Sequence, residues 1–234
     1  MALEIGVGTA NRAPAGTVQY MTGGTNADLK NDLNLGDHSD LVGRLKLKHP
    51  IPVIPNIYIH YLPMSFTGDK TNTTSIIYGG QTFQANTALH TDLTLNSIDL
   101  GLFYDIPFIS TATGGIVVPE IGLNVRMLSF SGKLTGTTAA GTRTEEKTAS
   151  IPVPMLYLGL GIHPIEFISL NAEIKTLSAG GNSITDWGVE AAIHPLSVLY
   201  IAVGYISQSI KIDTDNIKTD ISFKGPYAAV GVSF

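Results

Sequence analysis

The sequence predicts one all-β domain, an antiparallel β-barrel of about ten strands, even in number, that crosses a membrane. Three observations predict it. Charged residues make up 14% of the 234 residues, against roughly 25% in soluble domains, yet no run approaches the ~18 apolar residues of a spanning helix. Apolar residues alternate with small or polar ones over most of the chain. The last nine residues, Pro226 to Phe234, place Ala228, Val230, Val232 and Phe234 on one side of an extended strand and end on an aromatic ring. In lipid every backbone polar group must be paired internally, so a chain without a spanning helix crosses only as a closed sheet.

The alternating segments lie near 2–10, 38–48, 56–67, 92–105, 116–132, 148–163, 167–179, 184–194, 198–212 and 216–234. Several exceed the ~9–11 residues that a tilted strand needs to cross a bilayer, so the surplus is expected to stand above it as extended outer strands. No linker divides the chain, and residues 1–234 are expected to form a single barrel domain.

Taken in order, the first strand sets Leu3, Ile5 and Val7 on the apolar side. The connection that follows, 11–37, is rich in Gly, Asn and Asp and too long to be inert; it is expected either to fold over the mouth or to be mobile. The second strand carries Leu41, Leu45 and Leu47 and stops at His49-Pro50. A third strand leads through a long connection, 68–91, to the fourth, with Ile98, Leu100, Leu102 and Tyr104 outward and a stop at Ile106-Pro107. Ile121, Leu123, Val125 and Met127 mark the fifth strand. The next connection, 133–147, contains the small polar run Thr135 to Thr142, expected to be disordered. Leu156, Leu158, Leu160 and Ile162 mark the sixth strand, which stops at His163-Pro164; Trp187, Val189, Ala191 and Ile193 mark the eighth, which stops at His194-Pro195. The last two outer connections, near 180–183 and 213–215, are short.

Proline lacks the ladder donor and suits a strand end. All four proline stops close even-numbered strands, which puts them on one rim. With ten strands that rim also holds both termini, and in this class of barrel it is the periplasmic rim, where turns are short. Pro119, Pro154 and Pro226 fall inside strands and predict bulges there.

If the apolar stripe meets lipid, the opposite parity turns nearly every strand charge inward. Glu4, Asp99, Glu120, Glu173 and Glu190 then face Arg44, Lys46, Lys48, Arg126 and Lys175, five acids against five bases, with Asn124 among them. Such a balanced set is expected to pair into a network that fills the lumen. Tyr58, His60, Phe103, Phe130, Tyr157 and Tyr200 share that lumen, which in a barrel of about ten strands is narrow. Trp187 and Tyr104 fall at opposite membrane interfaces, as aromatic girdles do.

The terminal strand resembles the one by which Gram-negative outer-membrane barrels are recognised and inserted. That resemblance implies Tyr227, Val230, Val232 and Phe234 as an insertion signal and the barrel-assembly machinery as a partner. The runs His49-Pro50-Ile51-Pro52-Val53-Ile54-Pro55-Asn56, Tyr78-Gly79-Gly80-Gln81-Thr82-Phe83-Gln84-Ala85-Asn86-Thr87, Ile151-Pro152-Val153-Pro154-Met155-Leu156-Tyr157 and Phe223-Lys224-Gly225-Pro226-Tyr227 resemble landmarks of an uncharacterised family of proteobacterial outer-membrane β-barrel proteins. The likeness implies a bacterial outer-membrane location with lipid or lipopolysaccharide around the wall, and it implies no activity. No signal peptide opens the chain, since Met1-Ala2-Leu3-Glu4 runs directly into a strand; the expectation is a mature form with Met1 as an added start.

Candidate chemistry is sparse. The chain contains no cysteine, which excludes disulfides and thiolate metal sites, and a net charge of −5 offers no footprint for nucleic acid. His49, His163 and His194 share the periplasmic rim, and imidazole suits Zn or Cu, but intervening strands separate them. Asp32, Asn34 and Asp37 with Asp213, Asp215 and Asp220 make the outer loops acidic without the spacing of a calcium loop. No metal and no cofactor is expected. His38 with Asp37 and Asp40, and His90 with Asp92, lie at outer strand ends, where a ten-stranded protease of the omptin type carries Asp and His, a resemblance of strand number only. No nucleophile elbow is present, and no catalytic residue is assigned. The expected function is that of a monomeric outer-membrane barrel of unassigned role, binding or passing a small hydrophobic or polar ligand through a narrow or gated, porin-like lumen. The alternatives are a surface-facing enzyme, omptin-like or lipid-modifying, and a structural or adhesive barrel.

Overall fold

The computed structural model describes residues 2–51 and 53–234; Met1, expected as an added start, and Pro52 of the first proline-rich turn lie outside the described residues. In chain order the elements are β1 (Ala2–Tyr20), β2 (Ala27–Asp28), β3 (His38–Lys48), β4 (Asn56–Leu62), β5 (Ser65–Thr71), β6 (Ile76–Tyr78), β7 (Gln81–Phe83), β8 (Ala88–Asp105), the helix α1 (Pro107–Ala112), β9 (Val117–Thr138), β10 (Gly141–Ile165), β11 (Ile168–Ala179), β12 (Asn182–Leu196), β13 (Leu199–Asp213) and β14 (Ile217–Ser233). Each wall strand pairs antiparallel with its neighbours, and β14 returns to β1 with Val230 opposite Val7. β4 and β5 form one wall position interrupted at Pro63, so the closed sheet has ten positions. A barrel closed in this way leaves no sheet edge for lipid.

The outward stripe is as the alternation requires. Ile98, Leu100, Leu102, Ile121, Leu123, Val125, Leu156, Leu158, Val189 and Val230 are all exposed. Trp187 stacks on Tyr205 at 6.0 Å between centroids near the outer end of the stripe, and Tyr104 is exposed at the periplasmic end.

Two expectations are corrected, and the first connection takes one of its two expected courses. The run Thr135 to Thr142 is ordered as a β-hairpin, with Thr138 paired to Gly141; Gly141 takes φ +97° at the turn, a region that glycine enters without strain. The first connection splits into a continuation of β1 to Tyr20 and an inward fold. Its Leu29, Leu33 and Leu35 are buried, held by backbone bonds from Leu29 N to Gly16 O (2.9 Å) and from Leu35 N to Leu29 O (2.9 Å). The bulges also lie elsewhere than expected. Register runs unbroken through Pro119 and Pro154 in the β9–β10 ladder and through Pro226 in the β13–β14 ladder.

Each of these prolines instead faces a place where its other ladder ends or lapses. Pro119 follows the last β8–β9 pair, Pro154 precedes the first β10–β11 pair, and Pro226 sits where β1–β14 pairing lapses between Tyr227 and Lys224. A residue without a backbone donor costs nothing where no bond was to be made. The register shifts fall at His163-Pro164 and His194-Pro195, between Ile162 and Ile165 and between Ile193 and Leu196. Those two dipeptides therefore bend a strand just before its turn and do not stop it, whereas Pro50 and Pro107 follow strand ends directly.

The wall has a seam beside β3. β3 pairs with β4 only from Gly43–Tyr61 to Leu47–Ile57, and β5 pairs with β8 alone. Above Tyr61, side-chain bonds tie β1 and the first connection to Pro63, β5 and Asn72. Arg12 Nη1 donates to Pro63 O at 2.7 Å, Asn34 Nδ2 to Asp69 O at 3.0 Å and Asn72 Nδ2 to Asp32 O at 2.9 Å. Gly68 admits this packing, since a Cβ there would lie 2.2 Å from Leu33 O.

The stripe should show itself in folding energetics. Leu123→Arg, at mid-stripe, is expected to cost roughly 2–4 kcal/mol, while Ser131→Arg, on the same outward parity of β9 but beyond the stripe, is expected to cost almost nothing. Urea titration of folding into lipid vesicles measures both.

Candidate functional site

Inside the barrel the side chains stack in three layers along the axis. Nearest the termini is a polar chamber of about 160 Å³, lined among others by Glu4, Arg44, Lys46, Glu173, Glu190 and Tyr227. Arg44 bonds Glu4 at 3.0 Å, pairs with Glu190, and donates from Nε to the Tyr200 hydroxyl at 2.9 Å. Lys46 and Lys48 both reach Glu120, at 2.8 and 2.7 Å, and Lys48 also meets Asp105 at 2.9 Å. The Tyr157 hydroxyl donates to Glu120 at 2.7 Å, and the Tyr227 hydroxyl to Glu190 at 2.6 Å. Tyr58, Phe103 and Tyr157 form an aromatic cluster, with Lys46 Nζ 4.8 Å from the Phe103 centroid.

The second layer is a charged septum. Arg126, fully buried on β9, makes a two-pronged bond to Asp99 of β8 at 2.6 and 2.8 Å and reaches Asp186 of β12 at 2.5 Å. Lys175 of β11 bonds Asp99 at 3.0 Å, Glu173 at 3.2 Å and His60 at 3.1 Å. The Tyr58 hydroxyl donates to Asn124 Oδ1 at 3.1 Å just below it. Side chains from five wall strands, β4, β8, β9, β11 and β12, thus meet across the lumen.

The third layer is apolar, which corrects the expectation of a polar interior throughout. Leu29, Leu33 and Leu35 of the first connection pack with Met64, Phe66, Leu95, Leu134, Ile184 and Phe223, and Phe66 stacks on Phe223 at 5.2 Å. Phe130 lies against this layer, apart from the other lumen aromatics. On β9 the pattern inverts at its boundary. Met127 faces out and Arg126 in, but a few residues further Ser129 and Ser131 face out while Leu128 and Leu134 are buried.

All eleven expected members of the polar network face the lumen, and the ion pairs above join all ten of its charged members. The even balance of charge does not hold: Asp105 and Asp186 add two acids, and Arg12 adds a buried base bonded to Pro63. Parity already implied Asp186, which precedes the outward Trp187, and Asp105, which follows the outward Tyr104. Tyr227, grouped by resemblance with Val230, Val232 and Phe234, has the opposite parity and points at Glu190.

At the outer rim, Asp37 meets Lys30 at 3.2 Å, and His38 meets Asp40 at 3.6 Å. His90 stands between Asp69 of β5 (2.7 Å) and Asp92 (3.2 Å). The bond it donates to Asp69, against slight desolvation and aided by the Asp92 charge, holds this imidazole above its ordinary pKa. Both ring nitrogens are engaged, so His90 clamps β5 to β8 and offers no free nitrogen to a substrate. Two of the periplasmic-rim histidines have local partners: His49 Nε2 lies 3.1 Å from Pro55 O, and His194 Nε2 lies 3.2 Å from Ser169 Oγ. Among the described residues no three metal-ligating side chains converge.

No protein-family model matches the chain, and no curated protein matches it in sequence. Solved structures do match it in fold. The outer membrane protease OmpT from Escherichia coli aligns with a TM-score of 0.58 at 9% identity, over 100% of this chain and 97% of that one. The translocator domain of the autotransporter NalP from Neisseria meningitidis aligns with a TM-score of 0.51 at 11% identity, over 100% and 89%. The chain has the fold of the bacterial outer-membrane β-barrels, and at these identities the likeness extends to the fold alone.

The septum gives a sharp expectation. Arg126→Met takes from Asp186 its ion-pair partner and should cost roughly 3–5 kcal/mol, whereas adding Asp186→Leu should restore part of it. Equilibrium unfolding of the two variants in detergent micelles measures the difference.

Proposed function

We propose that this chain resides in the bacterial outer membrane and takes a small molecule into its periplasm-facing chamber, for binding or for passage gated by the septum, and that it is not an open pore. The single observation that carries this reading is the chamber of about 160 Å³ beneath the interlocked Arg126, Asp99, Lys175 and Asp186. A cavity of ~150 Å³ accepts a benzene-sized molecule, so a ligand of that order fits without rearrangement. Its polar wall of Arg44, Glu173, Glu190 and Tyr227 favours a molecule that exchanges hydrogen bonds with both carboxylates and a guanidinium. The apolar layer above the septum supports gating, because it would have to part before anything crossed. Val230, Val232 and Phe234 at the end of β14 are the residues offered to the assembly machinery.

Reconstituted in planar bilayers, the protein should give small or rare current steps at neutral pH. Arg126→Met with Glu120→Gln should change these more than removal of residues 21–36 does, since the septum still closes the lumen beneath that segment. Large, steady, unselective conductance from the unmodified protein would contradict the proposal.

A further inference from the structure

The depth of the lipid-facing stripe on the strands falls short of a bilayer. Val117 and Pro119 lengthen it on β9 and Pro152 and Pro154 on β10, but on β8 it runs only from Ile98 to Tyr104, on β12 from Trp187 to Ile193 and on β13 from Leu199 to Tyr205. At ~3.4 Å per residue each is roughly 20 Å of strand, and a tilt of roughly 40° reduces that to about 15 Å of depth. The apolar band of such barrels is ~25 Å tall. On these three strands the missing ~10 Å does not lie on the outer side, where Asn96, Thr185 and Ser207 follow directly.

It lies on the periplasmic side. Every turn of that rim carries large exposed apolar side chains: Val53 (82% exposed), Phe108 (83% exposed), Phe167, Leu196 and Val198, with Phe234 at the chain end. The helix α1 buries none of its residues. The hairpin turns of the opposite rim are built from Ala139-Ala140, Gly180-Gly181 and Thr214-Asp215-Asn216 and carry no such side chain. The first periplasmic turn is also held on the outside of the wall, because Tyr104, which faces lipid, donates its hydroxyl to Val53 O at 3.1 Å.

We propose that these turns form a collar sunk into the periplasmic leaflet, a surface fitted to phospholipid acyl chains just below the headgroups. The proposal rests on the reading that the barrel spans a bilayer. It commits to lipid as the occupant because the collar continues the lipid-facing stripe and supplies the depth that the stripe lacks. Water would leave an apolar ring exposed around a whole rim, an arrangement that folded proteins avoid unless something covers it.

Trp187 is the chain's one tryptophan, and it makes the test direct. Val53→Trp and Phe108→Trp are each placed in a Trp187→Phe background, at sites whose side chains are exposed, and heat-modifiable gel migration identifies folded protein. Each is reconstituted in phosphatidylcholine vesicles brominated near the top of the acyl chains. The collar tryptophans should lose most of their emission to the brominated lipid and stay shielded from aqueous iodide. Iodide quenching without bromine quenching at either site would overturn the collar and mark it as a water-facing surface, open to a periplasmic protein. The unmodified protein serves as reference. If Trp187 is quenched by bromine while the collar positions are not, only the collar fails; if Trp187 too escapes bromine, the bilayer reading fails with it.

Discussion

Pairing of β14 with β1 is the constraint on which the rest of this structure depends. An open sheet in lipid would leave a row of backbone donors and acceptors unpaired, each costing several kcal/mol. Bonding Ile5 against Val232 and Val7 against Val230 removes that edge. Closing ten strands then sets an interior near the narrow limit for a barrel, where side chains fill most of the space. Since the wall must be apolar outside, strand alternation forces the remaining residues into that narrow space, and the charges among them are tolerable only when paired. The bonds from Arg126 to Asp99, from Lys175 to Asp99 and from Lys46 to Glu120 answer that requirement.

The inversion of pattern along β9, repeated on β10, β12 and β14, follows from a change of solvent. Within the stripe, hydrocarbon lies outside and the polar chamber inside. Above it, water bathes the outer face, so Ser150, Thr185 and Lys224 face out, and the interior becomes a core of the soluble kind, with Val153, Met155, Ile184 and Phe223 buried. The strands alone do not fill this upper core. Leu29, Leu33 and Leu35, brought in by the long first connection, complete it, which gives that connection a packing role that its Gly- and Asn-rich composition hides.

Strand number, facing and the inward set of charges were legible in the sequence because each rests on period two, a local property of the chain. The order of the run Thr135 to Thr142 was not, because weak strand formers there are held by the neighbouring strand, a non-local effect that composition does not report. Proline misled for a related reason. A missing donor is harmless wherever one ladder has ended, and where a ladder ends depends on the lengths of both partners. Pro154 sits beside β10's unpaired upper half, which no reading of β10 by itself reveals. The inward direction of Tyr227, by contrast, was available from parity and was overridden by a resemblance of motif.

Hydrogen exchange in nanodiscs, followed residue by residue, tests the central claim most directly. The amides of Ile5, Val7 and Val230 at the β1–β14 junction should exchange as slowly as those of Leu100 and Leu123 on the opposite wall, with faster exchange at Leu41 in the seam and at alternate residues of the unpaired upper half of β10. Fast exchange at Val7 and Val230 beside slow exchange at Leu100 would contradict it, since the sheet would then be open where this account requires it to be closed.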